Sequence, residues 1–259
     1  MPTAAVNGTE IHYEDTGGDG PAVIFSHGIL MDHSMFDQQV AALSTEYRVI
    51  TWDERGHGGT AAPGPFTFWD SARDVFGLLD HLHLDSAVLG GMSQGGFVSL
   101  RAALLEPDRV RGLILIDTQA GLEDPANAES YQQLHDIWMD QGPGPVREIV
   151  AAIILGPGTW DDWFAKWAAT DRKQFSQAFA ALMAREDITS RLGEISCPAL
   201  VIHGTADAAI PMAKAEMLEA GLGGRSRLAV IDGGTHSSNM SHPDAVNALV
   251  LNFLRTLEQ

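Results

Sequence analysis

Apolar positions along this chain fall into two rhythms. Short unbroken runs recur at Ala22-Val23-Ile24-Phe25, Ala87-Val88-Leu89, Leu113-Ile114-Leu115-Ile116 and Ala199-Leu200-Val201-Ile202. Between them stand mixed stretches long enough for helices. A run without polar alternation suits a strand covered on both faces, whereas apolar residues every three or four positions suit a helix packed on one face. The pattern predicts strand 22–26, helix near 34–45, strand 48–53, helix near 69–82, strand 86–91, helix near 95–105 and strand 111–116, with Pro107 ending the third helix. Alternation of this kind builds a mostly parallel sheet flanked by helices, an α/β architecture. Ahead of it, Asn7-Gly8 between two strand-like segments predicts a hairpin.

The rhythm breaks after Asp117. Residues 119–191 show no convincing strand, only helical patterns punctuated by Gly142-Pro143-Gly144-Pro145 and Gly156-Pro157-Gly158. Strand–helix alternation resumes at Pro198 with strands 199–203 and 227–231. The expected organisation is therefore a core made of 1–118 and 192–259, with 119–191 inserted as a helical lid. Trp160, Trp163, Phe164 and Trp167 lie at i, i+3, i+4 and i+7, one face of a helix. That face either packs against the core and its neighbours or roofs a substrate pocket. Trp160, Trp163 and Trp167 are therefore candidate pocket residues.

Composition narrows the function classes. The chain has 259 residues, 45 % of them apolar, enough for a substantial core. Its formal net charge of −18 repels nucleic acid and anionic membrane surfaces, so neither is expected as a partner. Cys197 stands alone and can form no internal disulfide, which suits a reducing compartment. No apolar run approaches the roughly 20 residues of a membrane span, and the first residues lack the basic and apolar regions of a signal peptide. A cytoplasmic protein is expected.

Candidate chemistry sits directly behind the predicted strands. Gly91-Met92-Ser93-Gln94-Gly95 follows one of them and reads as a nucleophile elbow, a sharp strand-to-helix turn that exposes the serine hydroxyl. Glycine two positions to either side leaves room for the close backbone approach that such a turn imposes. Asp207 follows strand 199–203 in Gly204-Thr205-Ala206-Asp207, and His236 follows strand 227–231 in Gly233-Gly234-Thr235-His236. Upstream, strand 22–26 runs into His27-Gly28-Ile29-Leu30. Serine, acid and histidine in that chain order, each past the carboxyl end of a strand, resemble the α/β-hydrolase family, and the resemblance extends over nearly the whole length.

The resemblance implies a division of roles. Ser93 would be the nucleophile, His236 the base that takes its proton, and Asp207 the acid that orients the imidazole. Asp117, at the end of an earlier strand, occupies a position that some relatives use for the acid instead. Backbone N–H groups of Ile29 and Gln94 would form the oxyanion hole. Among the other histidines, His27 would brace the oxyanion loop, His57 lies in a turn common in the family, and His203 and His242 fall outside the base position. Three stretches look similar to 3-oxoadipate enol-lactonases and their esterase relatives: Pro63-Gly64-Pro65-Phe66-Thr67, the elbow through Asp117-Thr118-Gln119-Ala120, and Thr235-His236-Ser237-Ser238-Asn239. Gln94 departs from that branch, which commonly has Met there, and no lid arginine suited to an anionic lactone stands out.

The function so implied is hydrolysis of a small-molecule carboxylic ester or lactone through an acyl-enzyme, without metal or other cofactor. Carbon–carbon bond hydrolases of ring-cleavage products share the triad, but usually carry tryptophan just after the histidine, where Ser237 stands here. A perhydrolase side activity fits the same site. A ligand receptor on a hydrolase scaffold remains the non-enzymatic alternative, although no triad member is missing.

Overall fold

A computed structural model describes residues 1–258. Eight strands form one sheet: β1 (Thr3–Val6), β2 (Thr9–Asp15), β3 (Ala22–Ser26), β4 (Arg48–Trp52), β5 (Ala87–Met92), β6 (Val110–Ile116), β7 (Ala199–Gly204) and β8 (Ser226–Ile231). Their order is β1-β2-β4-β3-β5-β6-β7-β8. β1 and β2 form the expected antiparallel hairpin, with Asn7 and Gly8 both at positive φ in the turn. β2 is also antiparallel to β4; every later pairing is parallel. β3, β5 and β7 are buried at every position, as their unbroken apolar runs require, while β8 forms a half-exposed edge.

Helices α1 (Asp37–Leu43), α2 (Phe68–His81) and α3 (Gln94–Leu105) connect the first parallel strands. The helix expected over 34–45 is divided, because His33–Phe36 form a 3-10 turn ahead of α1. α2 begins with a capping box, in which the Thr67 N–H donates to Asp70 Oδ2 at 2.9 Å and Thr67 Oγ1 accepts from the Asp70 amide. α3 is buried from Gln94 through Ala103, so the helix behind Ser93 is held on all sides.

Between β6 and β7 come α4 (Pro125–Gln141), α5 (Arg147–Ile154), α6 (Asp161–Ala169) and α7 (Arg172–Met183), with no strand among them. These helices share an aromatic interior. His135 stacks on Phe179 at 4.2 Å between ring centroids, and Trp138 lies 5.0 Å from Phe175 and 5.9 Å from Trp167. After β7 the chain adds α8 (Met212–Gly221), the single turn α9 (Ser238–Ser241) and α10 (Pro243–Thr256). No helix among the described residues is long and apolar enough to cross a membrane.

Candidate active site

β5 ends at Met92, and the chain reverses into α3 through Ser93, whose φ of 51° and ψ of −113° are strained for a side chain with a Cβ. Packing fixes this turn. The Ser93 N–H donates to Ile116 O at 2.9 Å, and Thr118 Oγ1 donates to Ser93 O at 2.7 Å. A Cβ on Gly91 would come within 2.1 Å of Gly95 C, and one on Gly95 within 1.9 Å of Ser26 O. Only glycine fits at either position.

Ser93, His236 and Asp207, about 140 residues apart at their extremes, meet in one hydrogen-bonded chain. Ser93 Oγ lies 3.0 Å from His236 Nε2, and His236 Nδ1 lies 2.9 Å from Asp207 Oδ2. The other Asp207 oxygen accepts the amides of Ala209 and Ile210 at 2.8 and 2.9 Å, which aims the carboxylate. Burial would raise the Asp207 pKa, but His236 and the two amides outweigh it and hold the group below the usual carboxylate value. Burial likewise opposes charge on His236, yet Asp207 more than compensates and lifts the imidazole above its ordinary 6.5. A hydroxyl placed on such an imidazole can lose its proton as it attacks a carbonyl carbon.

Asp117 lies apart from this chain. Its Oδ1 accepts the Gly204 amide and its Oδ2 the Ser238 amide, both at 2.8 Å, so it ties the end of β7 to the loop that carries His236. Burial and the Asp207 charge push its pKa up to about 7. Asp117, His203 and Asp207 bring potential metal-ligand atoms within 4.8 Å of one another. Both carboxylates are held by backbone amides as above, and His203 Nε2 lies 2.9 Å from Ile210 O, while His203 Nδ1 is buried without a hydrogen-bond partner.

The His27-Gly28-Ile29-Leu30 loop, expected to carry an oxyanion donor, follows β3. Gly28 packs against the elbow, where an added Cβ would come within 2.7 Å of Met92 Sδ. His27 Nδ1 donates to Gly28 O at 2.8 Å, while its Nε2 accepts the Glu54 amide at 2.9 Å, an assignment that requires the neutral ring favoured by burial. The amides of Ile29 and Gln94 donate to no other protein group among the described residues, and Ile29 lines the cavity beside Ser93. Sequence reasoning missed the role of the Gln94 side chain. Its Nε2 donates to Glu54 Oε2 at 3.0 Å, fully buried, and burial pushes that carboxyl up to about 8.

A cavity of about 90 Å³ opens over Ser93 and His236. Its roof comes from α4, α5 and α7, with Tyr131, Leu134, His135, Trp138, Ile154 and Phe179 among the lining residues. The tryptophan face expected there lies elsewhere. Trp160, Trp163 and Trp167 do not line this cavity, because α6 packs on Leu30 and Met31 beside a second cavity. Trp163 and Trp167 instead face this second cavity, of about 420 Å³, beside His57 and Lys166. Trp163 stacks under Lys166 Nζ at 4.4 Å, Trp160 Nε1 donates to Gly156 O at 2.9 Å, and Trp167 Nε1 donates to Leu30 O at 2.7 Å. Four-residue periodicity identified a buried helical face but not the surface that it meets. The stripe that does face the cavity, Tyr131-Leu134-His135-Trp138, has the same spacing and went unnoticed because polar residues interrupt it.

Comparison with known proteins fits this geometry. A family model described as alpha/beta hydrolase fold matches residues 21–152, and a second, described as TAP-like protein, matches 180–259. The chain is 31 % identical to 3-oxoadipate enol-lactonase 2 of Acinetobacter baylyi, over 96 % of its own length and 94 % of that protein's. The chain belongs to the α/β-hydrolase family. This hydrolase also superposes on the crystal structure of the enol-lactonase from Burkholderia xenovorans LB400 with a TM-score of 0.89 and 32 % identity, covering 98 % of this chain and 100 % of that one. A thermophilic esterase from Thermogutta terrifontis gives a TM-score of 0.86 at 30 % identity, covering 99 % and 97 %. Both lie within the enol-lactonase-like and esterase branch that the elbow and histidine loop resemble.

Proposed function

We propose that this hydrolase cleaves small carboxylic esters or lactones through an acyl-enzyme on Ser93. The observation that carries the reading is the unbroken Ser93–His236–Asp207 chain, at 3.0 and 2.9 Å, beside two unengaged backbone amides. Enol-lactonase and esterase relatives support the substrate class.

In this reading the ester carbonyl enters the cavity with its oxygen toward the amides of Ile29 and Gln94. Ser93 Oγ attacks the carbonyl carbon as His236 Nε2 accepts the hydroxyl proton. Asp207 stabilises the resulting imidazolium and keeps Nδ1 protonated. The two amides stabilise the oxyanion, each donor of this kind being worth about 2.7–4 kcal/mol in the transition state. His236 returns its proton to the leaving alkoxide, which departs as the alcohol. A water molecule, deprotonated by the same imidazole, then releases the acid and regenerates Ser93. In a lactone the leaving oxygen stays tethered, and the product is a single hydroxy acid.

Hydrolysis of p-nitrophenyl acetate by the purified chain, and labelling with a fluorophosphonate, test the reading. Ser93→Ala is expected to fold normally, lose labelling and retain only the residual rate that oxyanion-hole binding supplies, several orders of magnitude below the parent. Labelling of another serine in the folded protein would refute the assignment.

A further inference from the structure

The roof of the active-site cavity carries a polar group of one sign. Glu123, just ahead of α4, lines the cavity, and no lysine or arginine does so among the described residues. Its Oε1 accepts Arg185 Nη2 at 2.7 Å. Oε2 has no hydrogen-bond partner among the described residues, and the side chain remains 11 % exposed. Arg185 is withdrawn from substrate: Nη1 donates to Leu182 O at 2.9 Å, and the guanidinium lies 4.6 Å from the Phe97 ring centroid, on the side away from solvent. Tyr131 and His135 line the same roof, and His135 Nε2 is buried without a partner. Such a wall offers a carboxylate oxygen, a phenol and an imidazole nitrogen to whatever lies beneath it. A second carboxylate in that space would face Glu123 with its only nearby cation already paired, and like charges so desolvated repel strongly. A neutral group with an N–H or O–H to donate would instead satisfy the free Glu123 oxygen.

We propose that Glu123, with Tyr131 and His135 beside it, selects the substrate by charge, admitting esters and lactones whose remote end is uncharged and donates a hydrogen bond and rejecting those whose remote end is a carboxylate. The proposal rests on the ester-hydrolase reading above. It also sets this chain apart from what the enol-lactonase likeness alone would suggest, since it makes an acid-bearing lactone a poor substrate.

Three methyl esters of matched length test it: methyl glutaramate, whose far end is a carboxamide, methyl pentanoate, and monomethyl glutarate, whose far end is an isosteric carboxylate. For the parent enzyme, kcat/KM should fall in that order, with the amide at least roughly tenfold above the carboxylate, on the scale that like-charge contacts reach. Glu123→Gln should narrow the gap by raising the rate on monomethyl glutarate relative to methyl glutaramate and methyl pentanoate. Equal parental rates on amide and carboxylate would overturn the proposal, as would an unchanged gap in folded Glu123→Gln. Activity on p-nitrophenyl acetate with no such discrimination would remove the charge selection and leave the hydrolase reading standing. Loss of all esterase activity would do the reverse: calorimetric binding of the same three esters to Ser93→Ala, which needs neither turnover nor the Glu123 variant, must still rank amide above carboxylate, and the opposite ranking sinks the selection.

Discussion

Asp207 and Asp117 both close a buried parallel strand, yet their carboxylates point to different tasks. The turn through Ala209 and Ile210 leaves one Asp207 oxygen facing His236, whereas both Asp117 oxygens are held by backbone amides. Strand-end position made both residues legible as candidates. The family resemblance favoured Asp207 over Asp117, but the loop conformation that holds the two carboxylates differently is encoded in no local pattern. Asp207→Asn should cost about 10⁴-fold in kcat, as the corresponding change does in a serine protease, because an amide favours the wrong imidazole tautomer. Asp117→Asn should cost far less in kcat and appear chiefly as lower stability. A pH–rate profile gives an independent check. His236 must be neutral to act as base, so kcat/KM of the parent should rise with pH through a midpoint above the ordinary 6.5, set by Asp207. In Asp207→Asn that midpoint should move down.

At the level of elements, the sequence carried the strands well and the roof poorly. An unbroken apolar run such as Ala199-Leu200-Val201-Ile202 has few alternatives to a covered strand, and β7 lies where it predicts. Helical stripes leave more freedom, because their spacing defines a face and says nothing of its partner. α6 and α4 carry the same 0, 3, 4, 7 spacing at 160–167 and 131–138, and the more aromatic one packs away from Ser93. Leu134→Ala, on α4, should therefore deepen the cavity and shift preference toward longer acyl chains, each added methylene gaining up to about 1–3 kcal/mol in the larger pocket. Trp163→Ala, on α6, should leave the chain-length profile of p-nitrophenyl esters unchanged. A profile that responds to Trp163 and not to Leu134 would mean that the roof has been misassigned.

Across the whole molecule, alternation of strand and helix made the parallel sheet legible, but not the insertion of β4 between β2 and β3. That order arises from long-range crossovers. The interior likewise places buried acids where their titration affects the entire fold. Glu54 keeps its proton in the folded protein up to about 8, against 4.5 for an ordinary glutamate, with burial as the main cause. From about pH 4.5 to 8 the folded state thus binds a proton that the unfolded chain has lost, and stability declines as pH rises. Asp117 acts in the same direction up to about 7. Glu54→Gln, which preserves a polar partner for Gln94, should be more stabilising relative to the parent at pH 8 than at pH 5, as urea denaturation at both pH values would show. The hydrogen bond from Trp167 Nε1 to Leu30 O has a consequence of another kind, because Leu30 adjoins the Ile29 amide. Movement of α6, which borders the second cavity, would pull on the loop that carries the Ile29 amide. α6 and the loop beside Ser93 are therefore linked mechanically, although α6 is no part of the roof over that serine. Trp167→Phe keeps the ring but cuts the tether, so it should lower kcat with little change in KM for small esters.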